Sequence, residues 1–104
     1  MSMINGMRPI HPGEILREEF LAPLEMSVNA LAKALRVDAS RMNEIVRERR
    51  RVSTDTALRL ARYFDTTPEF WMNLQRDYEI KTVGASDEGR SILSEVLPRA
   101  AATA

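Results

Sequence analysis

Ser40, Arg41, Asn43, Glu44 and Arg47 fall within eight consecutive residues, and their side chains are those that hydrogen-bond the edges of nucleic-acid bases. Arg offers two donors to guanine O6 and N7, Asn pairs with adenine N6 and N7, Ser serves a base or a phosphate, and Glu accepts from cytosine N4. Arg49, Arg50 and Arg51 follow at once. Such cations hold phosphates and gain affinity by releasing counterions, without reading sequence. Ser27 and Lys33, upstream, are the remaining candidate phosphate ligands. The chemistry these residues can do is recognition, not bond making.

Charge placement supports that reading more than charge balance does. Fifteen Lys and Arg cancel fifteen Asp and Glu over 104 residues, so no global field draws the chain to DNA or to an acidic membrane. Locally the balance is uneven. Between Lys33 and Arg51 seven cations face three acids, Asp38, Glu44 and Glu48, whereas Glu14, Glu18, Glu19 and Glu25 make the N-terminal segment acidic. Catalysis lacks its groups: there is one His, no Cys and no Gly-rich phosphate loop. His11, before Pro12 and Gly13, reads as a helix-start residue. No catalytic residue, cofactor or metal site is expected. Apolar runs are short and no secretory leader is legible, so a soluble, unprocessed, cytoplasmic protein is expected.

The elements that must position these residues are helices, since no alternating strand pattern occurs. Pro12 suits a first helical position, and Leu16 with Phe20, flanked by Ile15 and Leu21, gives a helix expected to end before Pro23. Ser27 caps a second helix with Val28, Leu31, Ala32 and Leu35 on its apolar face. Arg36, Val37 and Asp38 make a tight corner plugged by Val37. Asp38 is expected to cap a third helix with Met42, Ile45 and Val46 inward. After the arginine loop, Ser53 caps a fourth helix with Ala57, Leu60, Ala61 and Phe64 buried, and Thr67, Pro68 and Glu69 start a fifth. The expected organisation is an arm over residues 1–8, one all-α five-helix domain over 9–81 and a tail over 82–104. That tail is mobile or forms one short helix with Ile92, Leu93, Val96 and Leu97, stopped by Pro98.

Helices two and three, joined by a short corner and apolar only on their facing sides, form a helix-turn-helix pattern. With Met42 inward, a step of about 100° per residue puts Ser40, Glu44 and Arg47 outward, flanked by Arg41 and Asn43. Taken singly, such a helix equally fits an ordinary solvated back, and the arginines a solvated loop; the bipartite spacing favours DNA. One such unit reads few base pairs, so a two-fold dimer is expected. Its candidate interface is helix 5, through Phe70, Trp71, Met72, Leu74, Tyr78 and Ile80. Met72 and Ile80 should lie on the face that a monomer leaves exposed.

The stretches "MRPIHPGEILREEFLAPL", "LAKAL" and "RVSTDTALRLARYFDTTPEFWMNLQRDYEIK" resemble the HigA family of antitoxins, within the Cro/repressor-like helix-turn-helix superfamily. The likeness runs from Met7 to Lys81, and "HPGEIL" with "TTPEFWMNLQ" is its distinctive pair. It implies a type II toxin–antitoxin antitoxin that homodimerises, binds operator DNA to repress its own operon, and neutralises a HigB-like ribonuclease toxin. For such a basic partner, Glu14, Glu18 and Glu19 are the candidate docking strip, by charge complementarity. The sequence departs from the superfamily at Val28, where Gln usually follows the capping Ser, and at Arg36, where Gly is common. A non-Gly residue held left-handed there costs about 1 kcal/mol. A free-standing helix-turn-helix repressor with no toxin fits the same residues, and an adaptor binding only protein would leave the arginine face idle.

Overall fold

His11 and Pro12 open the first helix as their chemistry requires. Pro12 takes the first helical position, where its missing N–H loses nothing, and His11 Nδ1 accepts a hydrogen bond from the Gly13 N–H at 2.8 Å. The computed structural model describes residues 8–102, and among these the chain is helix and turn with no strand. The arm expected over residues 1–8 lies, but for Arg8, outside the described residues, as do the last two residues of the tail. Helix α1 is continuous in three parts: α-helical over Pro12–Ile15, π-helical over Leu16–Leu21 and α-helical again over Ala22–Leu24. It therefore runs through Pro23 instead of stopping before it. The π turns open the helix ahead of Pro23, with the Ala22 N–H reaching back to the Arg17 carbonyl. That shift relieves the clash a proline ring makes one turn back in a regular α-helix.

Helix α2, Val28–Leu35, is capped by Ser27 Oγ, which accepts from the Ala30 N–H at 3.0 Å. It ends on Arg36 in the left-handed conformation, φ 63° and ψ 44°. Val37 then plugs the corner, half-buried against the core, with its N–H on the Ala32 carbonyl at 3.0 Å. Helix α3, Ala39–Val46, starts at Asp38, but the Asp38 side chain caps nothing, contrary to the sequence expectation. The main chain closes that turn instead, the Arg41 N–H donating to the Asp38 carbonyl at 3.1 Å. Helix α4, Thr54–Phe64, and helix α5, Pro68–Gly84, begin at Ser53 and Thr67, whose hydroxyls accept from Thr56 and Phe70 N–H groups.

Helix α5 continues three residues past Lys81, and two more helices follow, α6 over Asp87–Glu95 and α7 over Arg99–Ala102. Helix α6 closes before Pro98, because Val96 is already extended at φ −99° and ψ 112°. Only Ile92 and Leu93 of the four apolar residues expected on a tail helix are inside it. Residue 97, preceding a proline, is biased away from helix by that ring. Gly89 allows α6 to close on the end of α5: a Cβ there would overlap the carbonyl oxygens of Val83 and Gly84.

The core is the convergence of α1 to α5. Leu16, Leu31, Met42, Ile45, Val52, Ala57, Leu60 and Trp71 are all fully buried. Phe20 lies against Phe64, Phe70 and Trp71 with ring centroids 4.8, 6.3 and 5.1 Å away, and the Trp71 indole N–H donates to Thr66 Oγ1 at 2.8 Å. Every buried side-chain nitrogen or oxygen among the described residues has a partner, as burial of polar groups demands. Met72 is not on an exposed face: it is half-buried and packs against this core. Helix α5 packs against α1 and α4 as well as α6, and the core reaches round it to Met72.

Candidate nucleic-acid interface

The helix-turn-helix pair is α2 and α3, held by Leu31, Ala32 and Leu35 on one side and Met42, Ile45 and Val46 on the other, all buried. Gly13 sets α1 against the end of α3 so closely that a Cβ would overlap the Ile45 carbonyl oxygen. Ser40, Glu44 and Arg47 are exposed on the outer side of α3, with Asn43 half-buried beside them. Asn43 Nδ2 donates to the Ala39 carbonyl at 2.9 Å and to Asn29 Oδ1 at 3.4 Å, which fixes the amide across the two helices.

Arg41 stands apart from this group. Its Nη1 donates to Asp55 Oδ1 at 2.8 Å and to Thr56 Oγ1 at 3.3 Å, so the guanidinium is turned onto α4. Asp55 also accepts from Arg59 Nε at 2.8 Å, and Arg59 first, then Arg41, holds its carboxyl below the usual carboxylate range. Of the candidate phosphate ligands, Lys33 is exposed on α2 and Ser27 is occupied by its cap. Arg49 is exposed, Arg50 Nη1 lies 3.8 Å from Glu44 Oε1, and Arg51 Nε donates to Glu79 Oε2 on α5 at 2.9 Å.

Four residues to which sequence reasoning gave no structural role hold this loop. Arg17 Nη1 donates to the Val46 carbonyl, and Arg17 Nη2 lies 3.3 Å from Glu48 Oε2. Glu48 itself turns the chain at φ 63°. Gln75, 2% exposed, accepts the Val52 N–H on Oε1 at 2.7 Å. Val52, fully buried, anchors the far end of the arginine run. The signal for Gln75 was its place one turn beyond Trp71 on the same stripe, where a polar residue needs a buried partner. Arg17 offered only its isolation among acids. His11 completes the support: its ring meets Tyr78 edge to face at 4.8 Å, and burial pushes its pKa down against the opposing pull of Glu48.

The other candidate surfaces are less uniform. Glu14 is clamped by Arg8, at 3.0 and 2.7 Å, which holds its carboxyl below the usual range. Glu18 meets Arg17 Nε at 3.1 Å, while Glu19 is exposed. On α5, Trp71 is spent wholly in the chain's own core; Phe70, Leu74 and Tyr78 are half-buried and Ile80 is exposed. Among the described residues no helix is long and apolar enough to cross a membrane.

Residues 18–69, from within α1 to the start of α5, match the Cro/C1-type helix-turn-helix DNA-binding domain. Virulence-associated protein I of Dichelobacter nodosus is 52% identical over 89 residues, covering 86% of this chain and 82% of that protein. Antitoxin HigA of Pseudomonas aeruginosa, solved with the higBA promoter, superposes with a TM-score of 0.85 at 54% identity, covering 88% of this chain and 99% of that one. An addiction module antidote protein of the HigA family from Coxiella burnetii gives 0.82 at 51% identity over 88% and 99%. This chain belongs to the HigA family of antitoxins, within the Cro/C1-type helix-turn-helix DNA-binding proteins.

Proposed function

We propose that this protein is the antitoxin of a type II toxin–antitoxin module, acting in the cytoplasm by binding alone. As a homodimer it occupies the operator of its own operon and represses it, and it neutralises a HigB-like ribonuclease toxin. The observation that carries the reading is the outer side of α3. Ser40, Asn43, Glu44 and Arg47 present base-reading groups on a helix docked by its opposite side into the core, with Arg49 and Arg50 on the loop leaving it. A helix so presented enters the major groove, while neighbouring cations hold phosphates. Ser27 and Lys33 extend the phosphate set, Arg51 is available to it only on leaving Glu79, and Arg41 joins the base readers by leaving Asp55.

Toxin docking is assigned to Glu18 and Glu19 on α1, with Glu14 once Arg8 releases it. The apolar end of α5 around Ile80 is assigned to the dimer. Two measurements test the reading together. A duplex spanning the promoter of the protein's own gene should shift in a gel at lower protein concentration than a scrambled duplex. The product of the adjacent gene should co-purify and lose its ribonuclease activity in the complex. Equal affinity for promoter and scrambled DNA removes the repressor role, and a toxin left active in the mixture removes the antitoxin role.

A further inference from the structure

Arg51 and Glu79 form an ion pair across the junction between the basic loop and α5, with Arg51 Nε 2.9 Å from Glu79 Oε2. The two side chains are 55% and 43% exposed, so water can separate them and the arginine has somewhere else to go. An isolated exposed pair is weak, but this carboxylate is not free to wander. Glu79 Oε2 also accepts from Gln75 Nε2 at 3.1 Å, and the buried Gln75 uses its oxygen to hold the Val52 N–H. The chain of bonds runs from the backbone next to Arg51, through a buried amide, to the acid that faces Arg51. Glu79 is thereby fixed where it competes with any anion approaching that guanidinium. Its carboxyl is held below the usual range, first by Arg51, so it stays charged at neutral pH.

We infer that Glu79 sets DNA affinity by holding Arg51 off the phosphate backbone, a restraint built into the junction of the loop with α5. The inference rests on the DNA-binding reading given above. Arg49 and Arg50 lack this restraint: Arg49 is exposed, and the contact of Arg50 with Glu44 is a loose 3.8 Å on the DNA side itself. Removing the charge of Glu79 leaves the amide contact to Gln75 available and frees Arg51 to bind a phosphate. Each added phosphate contact steepens the dependence of log affinity on log salt by about 0.9 for duplex DNA.

The test compares wild type, Glu79→Gln, Asp77→Asn, Arg51→Ala and the Glu79→Gln, Arg51→Ala double variant. Each is titrated against the promoter duplex and a random duplex over a salt series by fluorescence anisotropy. Asp77 lies on the same helix and, among the described residues, pairs with Arg76 at 3.5 Å, so Asp77→Asn removes one acid without touching Arg51. Glu79→Gln should bind both duplexes more tightly, with a slope steeper by about 0.9 per bound chain. That gain should vanish in the Arg51→Ala background and be absent in Asp77→Asn. A gain that survives Arg51→Ala, or that Asp77→Asn reproduces, reflects general repulsion and overturns the inference, as does a Glu79→Gln curve superposable on wild type. A wild type with no salt-dependent DNA binding would sink the DNA-binding reading itself, and the inference with it.

Discussion

His11 serves two contacts at once, its Nδ1 accepting the Gly13 N–H at the start of α1 and its ring lying on Tyr78 of α5. The cap needs the neutral imidazole, because a protonated Nδ1 cannot accept, whereas the edge contact with Tyr78 tolerates either form. Burial dominates and pushes its pKa down, while Glu48 and a hydrogen bond with the Arg50 backbone pull it up and Arg17 pushes it down, so the folded value lies below the ordinary 6.5. Between those two values the unfolded chain holds the extra proton, and folding stability therefore falls as pH drops below 6.5 and is complete above it. The carboxylates held low by arginine, Glu14, Asp55 and Glu79, start from ordinary values of 4.5, 3.8 and 4.5, so their losses come at lower pH. Thermal melts followed by circular dichroism from about pH 7 down to about pH 5 should show a falling Tm for wild type. His11→Asn, whose side-chain oxygen can still cap Gly13, should give a flatter profile. Parallel profiles would mean that His11 does not carry the transition.

On the proposed reading, helix α3 reads bases and the loop after it holds phosphates, so substitutions should sort by which of the two they touch. Ser40→Ala, Asn43→Ala and Arg47→Ala should each weaken promoter binding by about 1–3 kcal/mol where a base contact is lost, with little effect on random DNA. Arg49→Ala and Arg50→Ala should weaken both and flatten the salt slope by about 0.9 each. Anisotropy titrations at several salt concentrations separate the classes, and identical behaviour of the two would refute the division. Arg41→Ala belongs to neither class alone, since Arg41 also ties α3 to Asp55 and Thr56 of α4. The starts of these helices were legible because capping is local: Ser27, Ser53 and Thr67 each accept from an N–H three residues on. The end of α1 was not. Pro23 signals a stop in an α-helix, and only the π turns before it, Leu16–Leu21, let the chain continue.

The described chain is long for its size, with extents of 58 × 27 × 23 Å and a radius of gyration of 17.0 Å, against about 13 Å for a compact domain of roughly this length. Helix α6 packs on the far end of α5, where Gly89 meets Val83 and Gly84. Ile80, Val83, Ile92 and Leu93 line an apolar groove there, of about 440 Å³, and Ile80 and Leu93 are 63% and 76% exposed. Ile80→Asp should leave the monomer as stable as wild type, since Ile80 contributes little to the core. It should shift the protein toward monomer in sedimentation at micromolar concentration and weaken promoter binding, because two half-sites are no longer engaged by one particle. A dimer unchanged by Ile80→Asp would move the interface elsewhere. Met72→Asp is a poor probe of the same idea: Met72 packs on the core, and a charge there acts on folding.

Sequence by itself determined what depends on near neighbours along the chain. The period of apolar residues placed five helices, Ser27, Ser53 and Thr67 placed three of their starts by capping, and the spacing of Ser40, Asn43, Glu44 and Arg47 against Met42, Ile45 and Val46 placed four polar side chains on one side of α3. The plug at Val37 followed from the same local rules, while the left-handed Arg36 was expected from the family resemblance, where Gly is common at that corner. What tertiary structure alone decided is which cations are free. Arg41 and Arg51 look like Arg47 and Arg49 in the sequence, yet Asp55 and Glu79, 14 and 28 residues away, hold them on other helices. Arg17 and Gln75 reach 29 and 23 residues along the chain to support the loop. Such pairings rest on distances set by how whole helices cross, and a one-dimensional pattern carries no information about a crossing until the core has closed.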